Sequence, residues 1–460
     1  MHAWKRDHAA FVAGRSLLLL ALATACASQK RNAPPLPEPP AVATAALVSS
    51  AAPSAAPNEP ADSDARASER SAHSQPLSAP VPLVATKHPV DWWFTFKFNA
   101  ATFPGCEAPK SCPFGGTPQK YATGESEQFA VAASDAPQLQ MHASCLGEGS
   151  ADDPLGSTFA QVYDGSYFYV LWNDQFYRDP RIAGCSDSCG APWGHSKGML
   201  AWNSDGEGVV LQVSTPSWPA SGSKDHPRSD GNTLGCVHDD NVLVSQHFFA
   251  LRLTHPDLLI VLAALGNASV ATDPNNPQVV RNGGPDDAQR LVQALGRPVS
   301  VATPTNDVLS SGVRLLSKPS ALRVPPWQMV SALLGGAPLR TATWWESHKL
   351  PSVTAAARVT CWDNALGQPG AVQIATSGNW QGASIGFKGS ASKSGNHAKI
   401  GVGTAAGSGD VILGDMNQEG SLSGNCTAAQ NQRGGLFFVV TNTVFHDSMS
   451  SLLAGESAPE

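Results

Sequence analysis

The 460-residue sequence predicts a mixed α/β fold, with strands and a few helices packed in layers. Three observations carry that prediction. Short β-type runs alternate with turn clusters over most of the chain, two segments show helical periodicity, and one strand-turn-strand unit recurs in a weak second copy.

The elements follow in chain order. Lys5, Arg6 and Arg15 precede the apolar run Ser16–Ala25, which is too short to span a bilayer as a helix, so residues 1–25 read as a signal peptide. Cys26 follows directly. The triplet Ala23, Thr24, Ala25 suits a lipoprotein cleavage box with Cys26 as lipid anchor, although Ala rather than Leu stands three before the Cys; it would equally serve an ordinary signal peptidase. Either route predicts export, as a periplasmic or cell-surface lipoprotein with a membrane contact, or as a secreted protein. Residues 26–86 are nearly all Ala, Pro, Ser and charged side chains. They carry too little apolar surface to offset ordering entropy, and read as a disordered tether.

From residue 87 aromatic and aliphatic residues are spread throughout. Pro89–Phe98, Ser166–Trp172 and Asn241–Leu253 read as strands, and Asp286–Leu295 and Trp327–Leu334 as helices. Eight of the nine cysteines lie in this part. An even number behind an export signal points to disulfides. Close spacing favours Cys106 with Cys112 and Cys185 with Cys189, which leaves Cys145 with Cys236 and Cys361 with Cys426. No C-x-x-C pair recurs with matching His spacing, so a structural zinc is not expected. The net charge of −7 argues against a passive nucleic-acid coat, although thirteen histidines would shift that balance in acid.

The repeat is the most informative feature. Residues 194–214 read GHSKGMLAWNSDGEGVVLQVS and residues 396–417 read NHAKIGVGTAAGSGDVILGDMN. Each opens on His-x-Lys, runs into an apolar strand, crosses a Gly-rich turn and returns to a small polar residue. Residues two apart on a strand share a face, so His195 pairs with Lys197 and His397 with Lys399. The returning strands bring Ser214 and Asn417 back beside them. Each unit would then supply a nucleophile or acid, a fixed cation and a hydrogen-bonding group, although surface hairpins fit the bare pattern as well.

The segments PVDWWFTFK (89–97), LWNDQ (171–175), GHSKG (194–198), NHAK (396–399), GDMN (414–417) and QRGG (432–435) together resemble the deoxyribonuclease II family. The stretches LGSTFAQVYD (155–164), GNTLGCV (231–237) and CWDNALGQPG (361–370) fall in the same order. The resemblance implies a phospholipase D-like pseudo-dimer of two mixed-sheet α/β halves, each giving one His-x-Lys to a shared active site. We place the halves at 87–300 and 301–450, with 451–460 as a C-terminal tail. It also implies endonucleolytic cleavage of DNA without a divalent metal or cofactor, favoured by acid, leaving 3′-phosphate and 5′-hydroxyl ends. Three cysteines expected from animal members have no counterpart here, so disulfide connectivity does not carry over.

His195, Lys197, His397 and Lys399 are thus the candidate catalytic residues, with Ser214 and Asn417 as phosphate-binding support. Lysines can supply the charge that metal ions supply to most nucleases. One neutral histidine would attack phosphorus and the other, protonated, would donate to the leaving oxygen. Asp174 is a candidate to orient a histidine, and Asp415 and Arg433 either hold the loop around Asn417 or touch substrate. His247, Trp92, Trp93, Trp344 and Trp345 read as packing residues. The Gly-rich stretch 401–409 lacks the Lys-Ser/Thr ending of a P-loop. Two other readings stay open: a phosphodiesterase acting on lipid or small phosphodiesters, and a non-catalytic surface lipoprotein of the same fold.

Overall fold

The computed structural model describes residues 78–103, 128–142, 146–147, 153–185, 187–229, 243–347 and 349–460. The signal peptide, Cys26, most of the tether, Cys106, Cys112, Cys145, Cys236 and the segment 231–237 lie outside them.

The first run of elements is β1 (Leu83–Ala85), β2 (His88–Pro89), β3 (Trp92–Lys97), β4 (Phe129–Ala133), β5 (Ala136–Met141), α1 (Pro154–Tyr163), β6 (Phe168–Asn173), β7 (Lys197–Trp202), β8 (Gly208–Val213), β9 (Gln246–Leu253), α2 (His255–Asn267), β10 (Val280–Arg281) and α3 (Asp286–Gln293). The second is β11 (Thr305–Val308), β12 (Arg314–Lys318), α4 (Pro326–Leu333), β13 (Leu339–Ala342), β14 (Val372–Ile374), β15 (Ser377–Trp380), β16 (Ala383–Gly386), β17 (Ile400–Gly403), β18 (Asp410–Gly414), β19 (Gly435–Thr441) and α5 (Thr443–Leu452). The fold is mixed α/β, as expected. Each strand and helix read from periodicity is present within a few residues of its expected bounds.

Two large sheets organise the molecule. The order β10-β6-β7-β8-β9-β3-β4-β5 forms one and β11-β12-β19-β18-β17-β13-β14 the other. Pairing is antiparallel throughout except between β13 and β14. The run β6-β7-β8-β9-β3 has the same sequence of connections as β13-β17-β18-β19-β12. A helix precedes β6 and β13 (α1 and α4), and a helix follows β9 and β19 (α2 and α5). Both repeated units fold as antiparallel hairpins, with Gly198 opposite Gln212 and Ile400 opposite Leu413.

Strands β7, β8 and β17 are buried at every position, so both sheet faces are covered. The sheets share one core. Phe249 of β9 meets Phe438 of β19 with ring centroids 5.4 Å apart, and Phe445 of α5 packs on Trp92 and Phe94 of β3. Helix α2 buries Leu258, Val261, Leu262, Ala264 and Leu265 in the core, and a capping box of Thr254 and Asp257 starts it.

Two boundaries differ from the expectation. Strand β1 lies upstream of residue 87: the Leu83 N–H donates to Thr158 Oγ1 at 2.9 Å, and Gln161 Nε2 donates to Val81 O at 2.7 Å. The apolar trio Leu83, Val84 and Ala85 is what lets α1 recruit this end of the tether. Residues 453–457 are likewise docked, with Arg340 donating to the carbonyls of Leu453 and Gly455 and to the Ser457 hydroxyl. Of the expected disulfides, Cys185–Cys189 and Cys361–Cys426 are formed.

Candidate active site

The two His-x-Lys segments lie where their strands begin, at the seam between the sheets. Each histidine is held there by main chain from the far side. The His195 N–H donates to Gly434 O at 2.8 Å, just before β19, and the His397 N–H donates to Ser245 O at 2.8 Å, just before β9. The approach at Gly434 leaves no room for a side chain, since a Cβ there would sit 2.1 Å from Ala268 O. That close contact explains a glycine in the QRGG string.

A cavity of about 210 Å³ opens at this seam, lined by Gln175, His195, Ser214, Trp344, His397, Lys399 and Asn417. Five of the six expected catalytic and phosphate-binding residues therefore meet on it, two from the first repeat and three from the second. The sixth, Lys197, does not line it. Its ammonium donates to Asp174 Oδ1 at 2.6 Å.

Asp174 is fully buried and takes a second cation, with Arg433 Nη2 donating to Oδ2 at 2.8 Å. Burial pushes its carboxyl up, but Lys197, Arg433 and His195 outweigh that and hold it well below the usual carboxylate range. His195 Nε2 lies 4.0 Å from Oδ2, an electrostatic neighbour rather than a hydrogen-bond partner. Arg433 also donates to the carbonyls of Trp193, Cys189 and Gly194. It crosses from the second repeat to fix the loop that carries His195. Asp415 crosses too: it accepts from Gln212, from the Leu436 N–H and from Ser196. Arg433 and Asp415 therefore hold the site together and do not line the cavity.

Burial lowers both candidate histidines well below their ordinary value. Asp174 opposes the shift at His195 while Lys197, Arg433 and Lys399 add to it; at His397 the added cations are Lys399, Lys197 and Lys97. Lys399 falls to about 7, through burial and then through Lys197, with Asp174, Asp415 and Glu419 opposing. Burial raises Asp415 and Glu419 to about 7. Ser214 is less available than expected, because its hydroxyl donates to Gln246 Oε1 at 2.6 Å and accepts the His247 N–H at 2.8 Å.

Gln246 then turns its amide towards His397, with Nε2 3.4 Å from Nδ1. His397 Nε2 and His195 Nδ1 are buried atoms without a protein hydrogen-bond partner. Among the described residues no group of three or more His, Cys, Asp or Glu is arranged to hold a metal ion.

With this geometry in place, the chain can be compared with known families. Residues 83–255 match the deoxyribonuclease II family model. The match includes His195, Lys197, Ser214 and Asp174 and ends before His397. A match to this family supports a nuclease or phosphodiesterase activity, with DNA as the substrate that the family implies. A search of curated proteins finds no match.

Several residues around the cavity were not assigned to it from the sequence. Trp344, read as packing, is half-buried and sets its ring edge-on to His397 with centroids 4.3 Å apart. His247 is in the core as expected, yet its Nδ1 accepts the Lys399 N–H at 3.2 Å. Gln246 and Glu419 carried no motif. Gln246 had one usable signal, its place at the start of a strand that mirrors the one after QRGG.

Proposed function

We propose that this protein is a metal-independent endonuclease that hydrolyses DNA phosphodiesters through a phosphohistidine intermediate, its two halves forming a phospholipase D-like pseudo-dimer. The observation that carries the reading is the meeting of His195, His397 and Lys399 on one cavity within a chain matching the deoxyribonuclease II family. The matching strand order of the two sheets supports the pseudo-dimer.

Lys399 and the Asn417 side chain face the non-bridging oxygens, and Lys197 adds its charge from beside Asp174. The amide of Gln246, whose oxygen is taken by Ser214, requires a lone pair on His397 Nδ1. In the neutral ring that places the proton of His397 on Nε2, so this nitrogen has no lone pair for phosphorus and His195 is left as nucleophile. To act as donor, His397 takes a second proton on Nδ1 and gives up the Gln246 contact. His195 attacks phosphorus, a P–N bond forms and the P–O5′ bond breaks. His397 passes its proton to the departing 5′ oxygen. His397 then takes a proton from water, whose oxygen attacks phosphorus as the P–N bond breaks, releasing a 3′-phosphate. Both histidines have lowered pKa values, so protonating His397 favours acid. We further propose export through residues 1–25, with Cys26 as a lipid anchor; the two disulfides fit an oxidising compartment.

The test is plasmid nicking in excess EDTA from pH 4.5 to 7.5, with His195→Ala and His397→Ala alongside. Cleavage strongest in acid and reduced on the order of a thousandfold or more in each variant supports the proposal. An intact plasmid at every pH redirects the assignment to lipid or small phosphodiesters. Undiminished cleavage in either variant removes that histidine from the mechanism.

A further inference from the structure

Two lysines outside the cavity occupy equivalent places in the two sheets. Lys97 ends β3 and Lys318 ends β12; their cross-strand partners are Gln246 at the start of β9 and Gly435 at the start of β19. Both are completely buried. Burying an ammonium is costly, and an apolar side chain of similar volume usually packs there with equal or better stability. A buried lysine retained at both equivalent positions calls for a task.

Their partners indicate what that task is. Lys97 Nζ donates to Val244 O at 2.8 Å. Lys318 Nζ donates to Leu322 O at 2.6 Å, Arg433 O at 2.8 Å and Asn431 O at 2.9 Å, with Pro319 O more distant at 3.4 Å. One residue beyond Val244 is Ser245, whose carbonyl accepts the His397 N–H. One residue beyond Arg433 is Gly434, whose carbonyl accepts the His195 N–H. Each lysine therefore pins the segment that presents a carbonyl to the histidine of the opposite repeat.

We infer that Lys97 and Lys318 are a reciprocal pair of positioning residues, Lys97 setting His397 through Val244 and Ser245, and Lys318 setting His195 through Arg433 and Gly434. The role of the histidines rests on the proposed function; the mechanical coupling does not. A lysine suits the position because its long stem reaches from the strand end to the loop, and its three donors can engage several carbonyls at once. Lys318 gains a second lever, since the loop it holds also carries the Arg433 side chain to Asp174.

The experiment compares Lys97→Met and Lys318→Met in the full chain by amide hydrogen exchange over residues 193–197 and 395–399, and by kcat and KM for DNA cleavage in EDTA. We expect Lys318→Met to speed exchange at His195 about tenfold or more while His397 keeps its protection, and Lys97→Met to do the converse. We expect kcat to fall on the order of 10- to 100-fold in each, with KM within about twofold. Exchange rising equally in both segments, rising only in the lysine's own repeat, or staying unchanged would overturn the inference. If a methionine variant does not fold, Lys97→Gln or Lys318→Gln, which keeps a donor on a shorter stem, replaces it under the same criteria. Should the wild type cleave no DNA, the proposed function fails while the crosswise exchange pattern still decides the coupling.

Discussion

Outside the cavity, Asp174 compensates two cations, the buried Lys197 and the part-buried Arg433. Asp174→Ala leaves Lys197 and Arg433 uncompensated, and breaking a buried pair in this way costs about 3–5 kcal/mol. Urea denaturation should show that loss. The titrating groups give a second prediction. Lys399 loses its proton near pH 7, so cleavage should fall on the alkaline side through about pH 7. Glu419 is one of three carboxylates that raise the Lys399 value, so Glu419→Gln should move that limb to lower pH. A limb that stays put or moves upward in a kcat/KM profile would assign it to another group. Stability follows a different sign. Burial and Lys399 bring His247 to about 3, below its ordinary 6.5 in the unfolded chain. The unfolded chain binds more protons between those values, so stability is lost as pH falls below 6.5, by about 2 kcal/mol at pH 5 from this group. Asp415 and Glu419, raised to about 7, work the other way and gain stability as pH falls from 7. Thermal melts of His247→Asn against wild type at pH 5 and pH 7 test the first term: the gap should shift in the variant's favour at pH 5.

At the scale of elements, the hairpins matter less than the segments beside them. The loop 431–434 reaches Asp174, His195 and Lys318 within four residues. Gly434→Ala would set a Cβ 2.1 Å from the Ala268 carbonyl, so the backbone must move. Cleavage should drop about 100-fold or more even where the variant folds. The Cys361–Cys426 bond spans 65 residues, among them the whole His397 hairpin. Replacing both by serine should cost about 2–4 kcal/mol, read as a lowered Tm. The sequence was readable at this scale wherever periodicity was clean. Strand β3 alternates in aromatics, and α3 has a polar and an apolar face. Helices α1, α2 and α5 were not singled out, because α2 is apolar around most of its girth and the other two are rich in small and polar residues.

For the whole molecule, the decisive fact is that neither repeat is self-sufficient. His195 hangs from Gly434, His397 from Ser245, Arg433 from Asp174 and Asp415 from Gln212. Phe249 and Phe438 join the sheets through one core. Separately produced fragments 78–300 and 301–460 should each lack activity and expose apolar surface to dye binding. Co-expression should restore cleavage; an active single fragment would refute the shared site.

The sequence by itself determined the mixed α/β class and the two His-x-Lys hairpins, and it supplied the candidates for phosphodiester chemistry, because strand periodicity and residue chemistry are local properties. It also favoured the Cys185–Cys189 and Cys361–Cys426 pairs. Only the tertiary structure decided that Lys197 faces Asp174 rather than the cavity, that Ser214 is engaged by Gln246, and that Trp344 walls the site. Each of these depends on which distant segment supplies the nearest acceptor, cation or void. No spacing along the chain encodes that, since the partners lie 23 residues apart for Lys197 with Asp174 and 259 for Arg433 with the same carboxylate.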